Sequence, residues 1–249
     1  MRILFIRRGW LYKTVLWLLI VLFLIGLGVL ATNEKHERVF APIYQGSDKE
    51  KKIALACNVF WGEEYIPKML EIFEDENIKI TFFAGGTWVE DFPELLKKMD
   101  GAGHEIGSHG YSHPHPDRLS KNGNISDMQR AEKLIYDAIH KRPKLYAPPY
   151  GEKGPAVLKA AQEQGYSFIL WSIDTIDWQR PAPAIIKQRV VSKAHNGAIV
   201  LMHPTDPTVK ALPEMIKQLK SEGFEFVKVG EIIEGIPQNV ESEKRKTYK

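Results

Sequence analysis

His109 and His113 stand four residues apart in His109-Gly110-Tyr111-Ser112-His113, directly after the strand-like run His104-Glu105-Ile106-Gly107. Imidazole is the side chain best suited to hold a divalent transition metal near neutral pH. The pair lies in a Gly/Ser/Pro-rich stretch, residues 107–116, and not on an apolar helical stripe. Functional groups concentrate in such loops, whereas a stripe would have meant core packing. Two imidazoles make half of a metal site, so a third donor must come from elsewhere in the chain. By residue type the candidates are Glu63, Glu64, His115, Asp117 and Asp174. Glu63 and Glu64 also suit the start of a helix, where carboxylates meet the positive end of the dipole.

The elements that must position this pair alternate in type. Short apolar runs read as strands at 53–57, 80–84, 105–107, 145–147, 167–171, 198–202 and 225–229. Amphipathic stretches read as helices at 65–75, 93–99, 127–140, 155–164, 184–193 and 212–222, with Ile66, Met69, Leu70 and Phe73 showing the helical spacing. Breakers at 101–103, 122–124, 165 and 223 mark boundaries. Strict alternation predicts a parallel sheet with helices outside it. His109, Pro148–Gly151, Asp174–Trp178 and His203 each follow the C-terminal end of a predicted strand. Several strands each delivering polar residues to one mouth favours a barrel over a flat sheet. No G-x-G-x-x-G follows the first strand, which removes support for a dinucleotide site.

The ends of the chain read differently. Arg2, Arg7, Arg8 and Lys13 precede an uninterrupted apolar run from Val15 to Ala31. A run of this length sits at the border between a signal-peptide core and a membrane span, and no polar face interrupts it. It predicts a signal anchor: a single-pass transmembrane helix, with the positive flank in the cytoplasm and the remainder outside. A small-x-small pattern at Val29 and Ala31 would allow cleavage and secretion instead. The expected organisation is therefore 1–50 as cytoplasmic stub, anchor and polar tether, 51–235 as one domain, and 236–249 as a charged tail. Cys57 is the only cysteine, so no internal disulfide framework exists. The net charge of +3 is small, and no basic stripe with interleaved aromatics is present, which argues against a nucleic-acid partner.

Read in order, the strand ends carry Asn58-Val59-Phe60-Trp61-Gly62, Ser108-His109-Gly110-Tyr111-Ser112-His113, Ala147-Pro148-Pro149-Tyr150-Gly151, Asp174-Thr175-Ile176-Asp177-Trp178 and Leu201-Met202-His203. This order and spacing resemble the polysaccharide deacetylase family, the NodB-homology carbohydrate esterases, over nearly all of residues 51–233. Trp61-Gly62-Glu63-Glu64 resembles most the sporulation-associated branch of spore-forming Gram-positive bacteria. The resemblance implies an α/β fold: a distorted, incomplete (β/α) barrel. It implies that His109 and His113 hold a divalent metal, zinc first, with cobalt or nickel as alternatives. It implies that His203 is the general acid, oriented by Asp177, and that Trp178 and Leu201 wall an acetyl pocket. Tyr150 would lend a backbone N–H to the oxyanion, and Trp61 would cap the mouth or line a sugar subsite.

The implied reaction is removal of N-acetyl groups from a cell-wall or related amino-sugar polymer, with a possible place in sporulation. Such hydrolysis needs an activated water, a stabilised oxyanion and a proton for the departing amine. A bound metal supplies the first two and a His–Asp pair the third. Three positions depart from the family pattern. Asn58 and Val59 stand where two aspartates, the base and a metal ligand, are expected, and Ala147 stands where an arginine pairs with that base. A carboxamide hydrogen-bonds a water but accepts no proton from it at neutral pH. The alternative reading is therefore a degenerate deacetylase fold that binds glycan, or scaffolds wall assembly, without cleaving.

Overall fold

The computed structural model describes residues 10, 12–13, 15–23 and 38–241. The chain divides into two units. One is Phe40–Val240; the other comprises Met1–Val39 with Glu241–Lys249.

In the N-terminal unit, residues 15–23 are helical and every side chain among them is exposed. Among the described residues no helix is long and apolar enough to cross a membrane. The expected transmembrane helix is thus not among the described elements; residues 24–31, which complete the apolar run, lie outside them.

The larger unit is built on parallel strands. These are β1 (Lys52–Val59), β2 (Thr81–Ala84), β3 (Glu105–Ser108), β4 (Leu145–Tyr146), β5 (Ser167–Phe168), β6 (Ile173–Asp174), β7 (Ala198–Met202) and β8 (Glu225–Val227). Their order is β5-β4-β3-β2-β1-β7-β6, every neighbouring pair parallel. β8 pairs with β1 at Lys52–Ala54, beneath the stretch Ala56–Val59 where β2 takes the same edge. The helices are α1 (Ile66–Asp75), α2 (Gly86–Asp91), α3 (Pro93–Gly101), α4 (Lys121–Ile139), α5 (Pro155–Glu163), α6 (Pro183–Val191), α7 (Asp206–Ser221) and α8 (Val229–Ile232).

The sheet curls without closing, since β5 and β6 share no ladder. Residues 43–46 lie along the gap. Ile43 N–H donates to Phe168 O at 2.8 Å, Leu170 N–H donates to Ile43 O at 2.8 Å, and Gly46 N–H donates to Gly197 O at 2.8 Å. Ile43 is buried with the barrel interior. Residues 40–50, expected as tether, therefore begin the packed unit: an apolar side chain and backbone donors find partners on the open sheet edge.

Parity along β1 shows the two layers, because successive side chains in a strand face opposite sides. Ile53, Leu55, Cys57 and Val59 pack outward with Met69 and Phe73 of α1 and Leu212 and Met215 of α7. Ala54 and Ala56 face inward with Phe83, Leu145, Ala147, Ile169 and Ile199. Some elements and boundaries differ from expectation. α2 and β6 were not expected at all. α4 starts six residues early and absorbs the Asn122–Asn124 breaker. There Ser120 caps the helix by accepting from Gly123 N–H at 3.1 Å, and Asn124 donates to Pro116 O at 3.0 Å. Ser120 thus satisfies an orphan N–H of the helix start, while Asn124 ties the first turn to the preceding loop, so these polar residues begin a helix instead of ending one.

Candidate active site

The same parity selects what reaches the barrel mouth. Asn58 continues the inward set of Ala54 and Ala56, and Leu201 and His203 continue from Ile199. Trp171 continues from Ile169, and His109 continues from Gly107, whose added Cβ would meet the Phe83 ring at 2.5 Å. A cavity of about 440 Å³ at this mouth is lined by Asn58, His109, Trp171, Leu201 and His203 together with Phe60, Trp61, His113, Tyr150, Gly151, Asp174 and Trp178. Of the residues that the resemblance gives a role, and Asn58, all but Asp177 line it, and Asp177 lies directly behind His203.

Asp177 is fully buried. Its Oδ1 accepts from His203 Nδ1–H at 2.7 Å, and its Oδ2 accepts from His203 N–H at 2.7 Å and from the Thr208 hydroxyl at 2.6 Å. Three bonds to one buried carboxylate meet the condition under which such a group is retained in a fold. With Nδ1 as donor, His203 presents Nε2 to the cavity. The turn that delivers Asp177 contains Ile176 at φ 53, a left-handed conformation that a β-branched residue rarely takes. Asp174 Oδ1 holds it by accepting from Ile176 N–H at 2.8 Å, and Arg189 donates to Thr175 O at 2.8 Å. Trp61 lies parallel to the His203 ring, 8° between planes and 5.8 Å between centroids.

The two-histidine loop is clamped from both sides. Gly86 and Thr87, opening α2, donate to Gly110 O and Tyr111 O, each at 2.9 Å. Asp127 of α4 accepts from Tyr111 N–H at 2.8 Å and Ser112 N–H at 3.4 Å. Burial raises the Asp127 carboxyl above the usual range despite these donors. Arg130 covers the Tyr111 ring at 3.5 Å. His109 Nδ1–H donates to Ala147 O at 2.7 Å, which leaves Nε2 as an acceptor. Burial, reinforced by His113, lowers the His109 pKa to about 3, and burial also lowers that of His113. Both imidazoles are therefore neutral near pH 7, the form that ligates metal. Their ring centroids are 5.0 Å apart.

The donors fit a late divalent ion in kind and fall short in number. Catalytic zinc commonly has three protein ligands. Among the described residues no three His, Cys, Asp or Glu side chains are placed to share an ion. Of the five third-donor candidates only Asp174 lines the cavity, and it already serves Ile176. Glu63 and Glu64 open a single 3-10 turn away from the cavity. His115 pairs with Glu152 at 2.7 Å and stacks on Tyr150, centroids 4.0 Å apart. Asp117 accepts from Gly154 N–H at 2.6 Å.

The three departures have distinct places. Asn58 is 5% exposed, and its Oδ1 is buried without a hydrogen-bond partner. Ala147 sits in the inner core and orients His109 through its carbonyl, a backbone role independent of its side chain. Val59 faces outward into the helix-packed core, so its side chain does not border the cavity. Tyr150 adopts φ 59, at a turn where Gly151 and Glu152 donate to Pro148 O and Pro149 O.

Sequence comparison decides the family. Residues 45–169 match the family pattern described as Polysaccharide deacetylase. The chain belongs to the polysaccharide deacetylase family. It is 43% identical over 194 residues to the YlxY protein of Bacillus subtilis, covering 78% of this chain and 60% of that one. It thus spans somewhat less than two thirds of that relative. It is 32% identical to a peptidoglycan-N-acetylglucosamine deacetylase of Bacillus cereus, covering 76% of this chain and 70% of that one. Among solved structures it resembles a CE4 family pseudoenzyme from Bacillus anthracis, with TM-score 0.76, 40% identity, and coverage of 78% of this chain and 69% of that chain. A mutant of that pseudoenzyme is described as having restored enzymatic activity. The deacetylase half-barrel expected from the strand-end motifs is the observed architecture.

Residues that sequence reasoning missed are Thr208 and Asp127. Each lies on a helix and touches the site only across the fold, 31 and 16 residues from its partner. No local motif marks either one.

Proposed function

We propose that this chain engages an N-acetylated amino-sugar polymer of the cell wall at the barrel mouth, as a polysaccharide deacetylase-fold protein whose water-activating half has been dismantled. The observation that carries the reading is Asn58. It occupies the inward position at the end of β1 where a base would sit, and its amide oxygen has no partner. Trp61, Tyr150 and Trp178 stand exposed around the cavity. Aromatic faces of this kind offer apolar area to a sugar ring while its hydroxyls remain wet.

A second reading, hydrolysis, rests on the completeness of the other half. Asp177 holds His203 in the tautomer that keeps Nδ1–H and leaves Nε2 to move a proton at a departing amine. His109 and His113 would hold a divalent ion, with zinc the first choice and cobalt or nickel next. Such an ion, when bound, lowers the pKa of its water and polarises a carbonyl. Leu201 and Trp178 would enclose the acetyl methyl group, and the Tyr150 backbone N–H would face the oxyanion.

The reading places the domain outside the cytoplasm, held by the N-terminal apolar run. Its support is the basic flank and the absence of a polar face from Val15 to Ala31. A helix that is apolar all round requires an apolar surrounding.

The test compares two measurements on the same protein: calorimetric titration with N-acetylglucosamine oligomers and peptidoglycan fragments, and acetate release with zinc, cobalt or nickel added. Saturable binding that persists in His203→Ala, without acetate release, is the expected result. Turnover that disappears in His203→Ala would overturn the binding reading and establish the hydrolytic one.

A further inference from the structure

The Asp177–His203 pair is tied to a helix start that the proposed function leaves unused. Thr205 is the N-cap of α7 and Thr208 lies in its first turn. Thr205 and Thr208 are buried, as is Asp177. Thr205 Oγ1 and Thr208 Oγ1 are 2.7 Å apart, Thr208 N–H donates to Thr205 Oγ1 at 3.1 Å, and Thr208 Oγ1 lies 2.6 Å from Asp177 Oδ2. The proton order follows from chemistry. A carboxylate accepts only, so the Thr208 hydroxyl donates to Asp177. Its lone pair is then the acceptor in the contact with Thr205, whose own hydroxyl donates. The chain therefore runs Thr205 O–H to Thr208 O–H to Asp177 Oδ2, with Asp177 Oδ1 facing His203 Nδ1–H. Hydrogen bonds arranged head to tail in a dry interior polarise one another.

We infer that Thr208 is a positioning residue for the Asp177–His203 pair. It fixes the carboxylate plane so that Oδ1 meets the imidazole while Oδ2 is held by the Thr208 hydroxyl and the His203 backbone. The cap that starts α7 and the orientation of the His203 ring are thereby one connected unit. Without the Thr208 hydroxyl, Oδ2 keeps one donor instead of two inside a site that offers no water-exposed alternative. The carboxylate plane is then set by the two His203 donors alone, which lets it tilt about its Cβ–Cγ bond, and the Nδ1–H bond lengthens. This inference concerns the geometry of the pair and holds for a binding protein and a hydrolase alike.

The experiment is proton NMR of the whole, metal-free protein. A hydrogen bond between a buried imidazole N–H and a carboxylate gives a low-field resonance in slow exchange with water. It is assigned to His203 by its absence in His203→Gln. Thr208→Val, close in shape but lacking the hydroxyl, is expected to move this resonance upfield and shorten its exchange lifetime about tenfold. Thr208→Ser, which restores the donor, is expected to return both toward the wild-type values. A resonance unchanged in Thr208→Val, with only the melting temperature lowered, would overturn the inference and leave Thr208 a packing residue. If Thr208→Val does not fold, Thr208→Ala serves as the hydroxyl-free variant and is judged by the same two readings against Thr208→Ser.

Discussion

Replacing Asn58 with Asp tests whether the missing base is what separates binding from turnover. The change is nearly isosteric and points inward at the barrel mouth. General-base assistance is worth about 10²–10⁴ in rate, equivalent to about 3–5 kcal/mol of barrier. An opposing term comes from the site. Asn58 is 5% exposed, its Oδ1 has no partner, and Ala147 offers no cation. Burial of an unpaired carboxyl raises its pKa by up to about 3–5 units. If the folded value reaches about 7, against about 3.9 unfolded, the ionised variant loses about 4 kcal/mol of stability at neutral pH. The sign is set by proton binding. The folded variant keeps its proton to higher pH than the unfolded chain does. Its stability relative to wild type therefore falls as pH rises from about 4 to the folded pKa, and is level above it. Acetate release from N-acetylglucosamine oligomers, followed from pH 5 to 9 with zinc, cobalt or nickel, should appear in Asn58→Asp and increase with pH. Urea unfolding over the same range should show the matching loss. Adding Ala147→Arg should shift both curves to lower pH, because an adjacent guanidinium favours the carboxylate. The reasoning is refuted if Asn58→Asp unfolds cooperatively and binds oligomer, yet releases no more acetate than wild type at any pH with any of the metals.

Other expectations concern the pieces already in place. Asp177→Asn should destabilise the fold by about 3–5 kcal/mol, because a buried group bonded to three donors loses its charge and must turn an amide toward one of them; chemical denaturation measures it. Burial lowers His104, with Lys79 adding to it, to about 4, and burial lowers His109 to about 3, from 6.5. The stability these two neutral histidines contribute is present above pH 6.5. It is lost as pH falls, at about 1.4 kcal/mol per unit for each. Unfolding free energies between pH 6.5 and 4 should show that slope, and His104→Asn should reduce it by about 1.4 kcal/mol per unit. Gly110→Ala should cost about 1–2 kcal/mol for a left-handed residue. Its Cβ would also stand 2.5 Å from the Asp127 carboxylate at φ +76. Weakened zinc binding by calorimetry, along with the lowered melting temperature, is the expected result. Chelator treatment of wild type should leave glycan binding unchanged if the sugar is held by Trp61, Tyr150 and Trp178, and a lost titration would show that an ion takes part.

Much of the site was legible because each strand carries its own short motif. The period-2 alternation of β1 distinguishes Asn58 from Val59 once the inward face is known, and strand-end motifs name His109, Tyr150, Asp177, Trp178, Leu201 and His203 without any three-dimensional information. Helix starts were less legible. Residues 122–124 read as a breaker because polar groups that end one element also stand in the first turn of another, here just after the Ser120 cap. The 40–50 segment read as a tether because the short run Phe40–Tyr44, interrupted by Pro42 and followed by polar residues, carries no periodic signal. Its burial depends on the gap between β5 and β6, which no local pattern announces.

The residues of this chain by themselves determine the alternation of strand and helix, the family, the identity of the groups at the mouth and the chemical limits of Asn58 and Ala147. Those properties depend on side-chain type and on spacing within one segment. Only the tertiary structure decides that Val59 faces the outer core and that, among the described residues, no third carboxylate or imidazole joins His109 and His113. The same holds for the contacts by which Thr208 and Asp127 hold the Asp177–His203 pair and the histidine loop. Those facts depend on distances between segments tens of residues apart, which are set by how the sheet curls and where each helix packs against it.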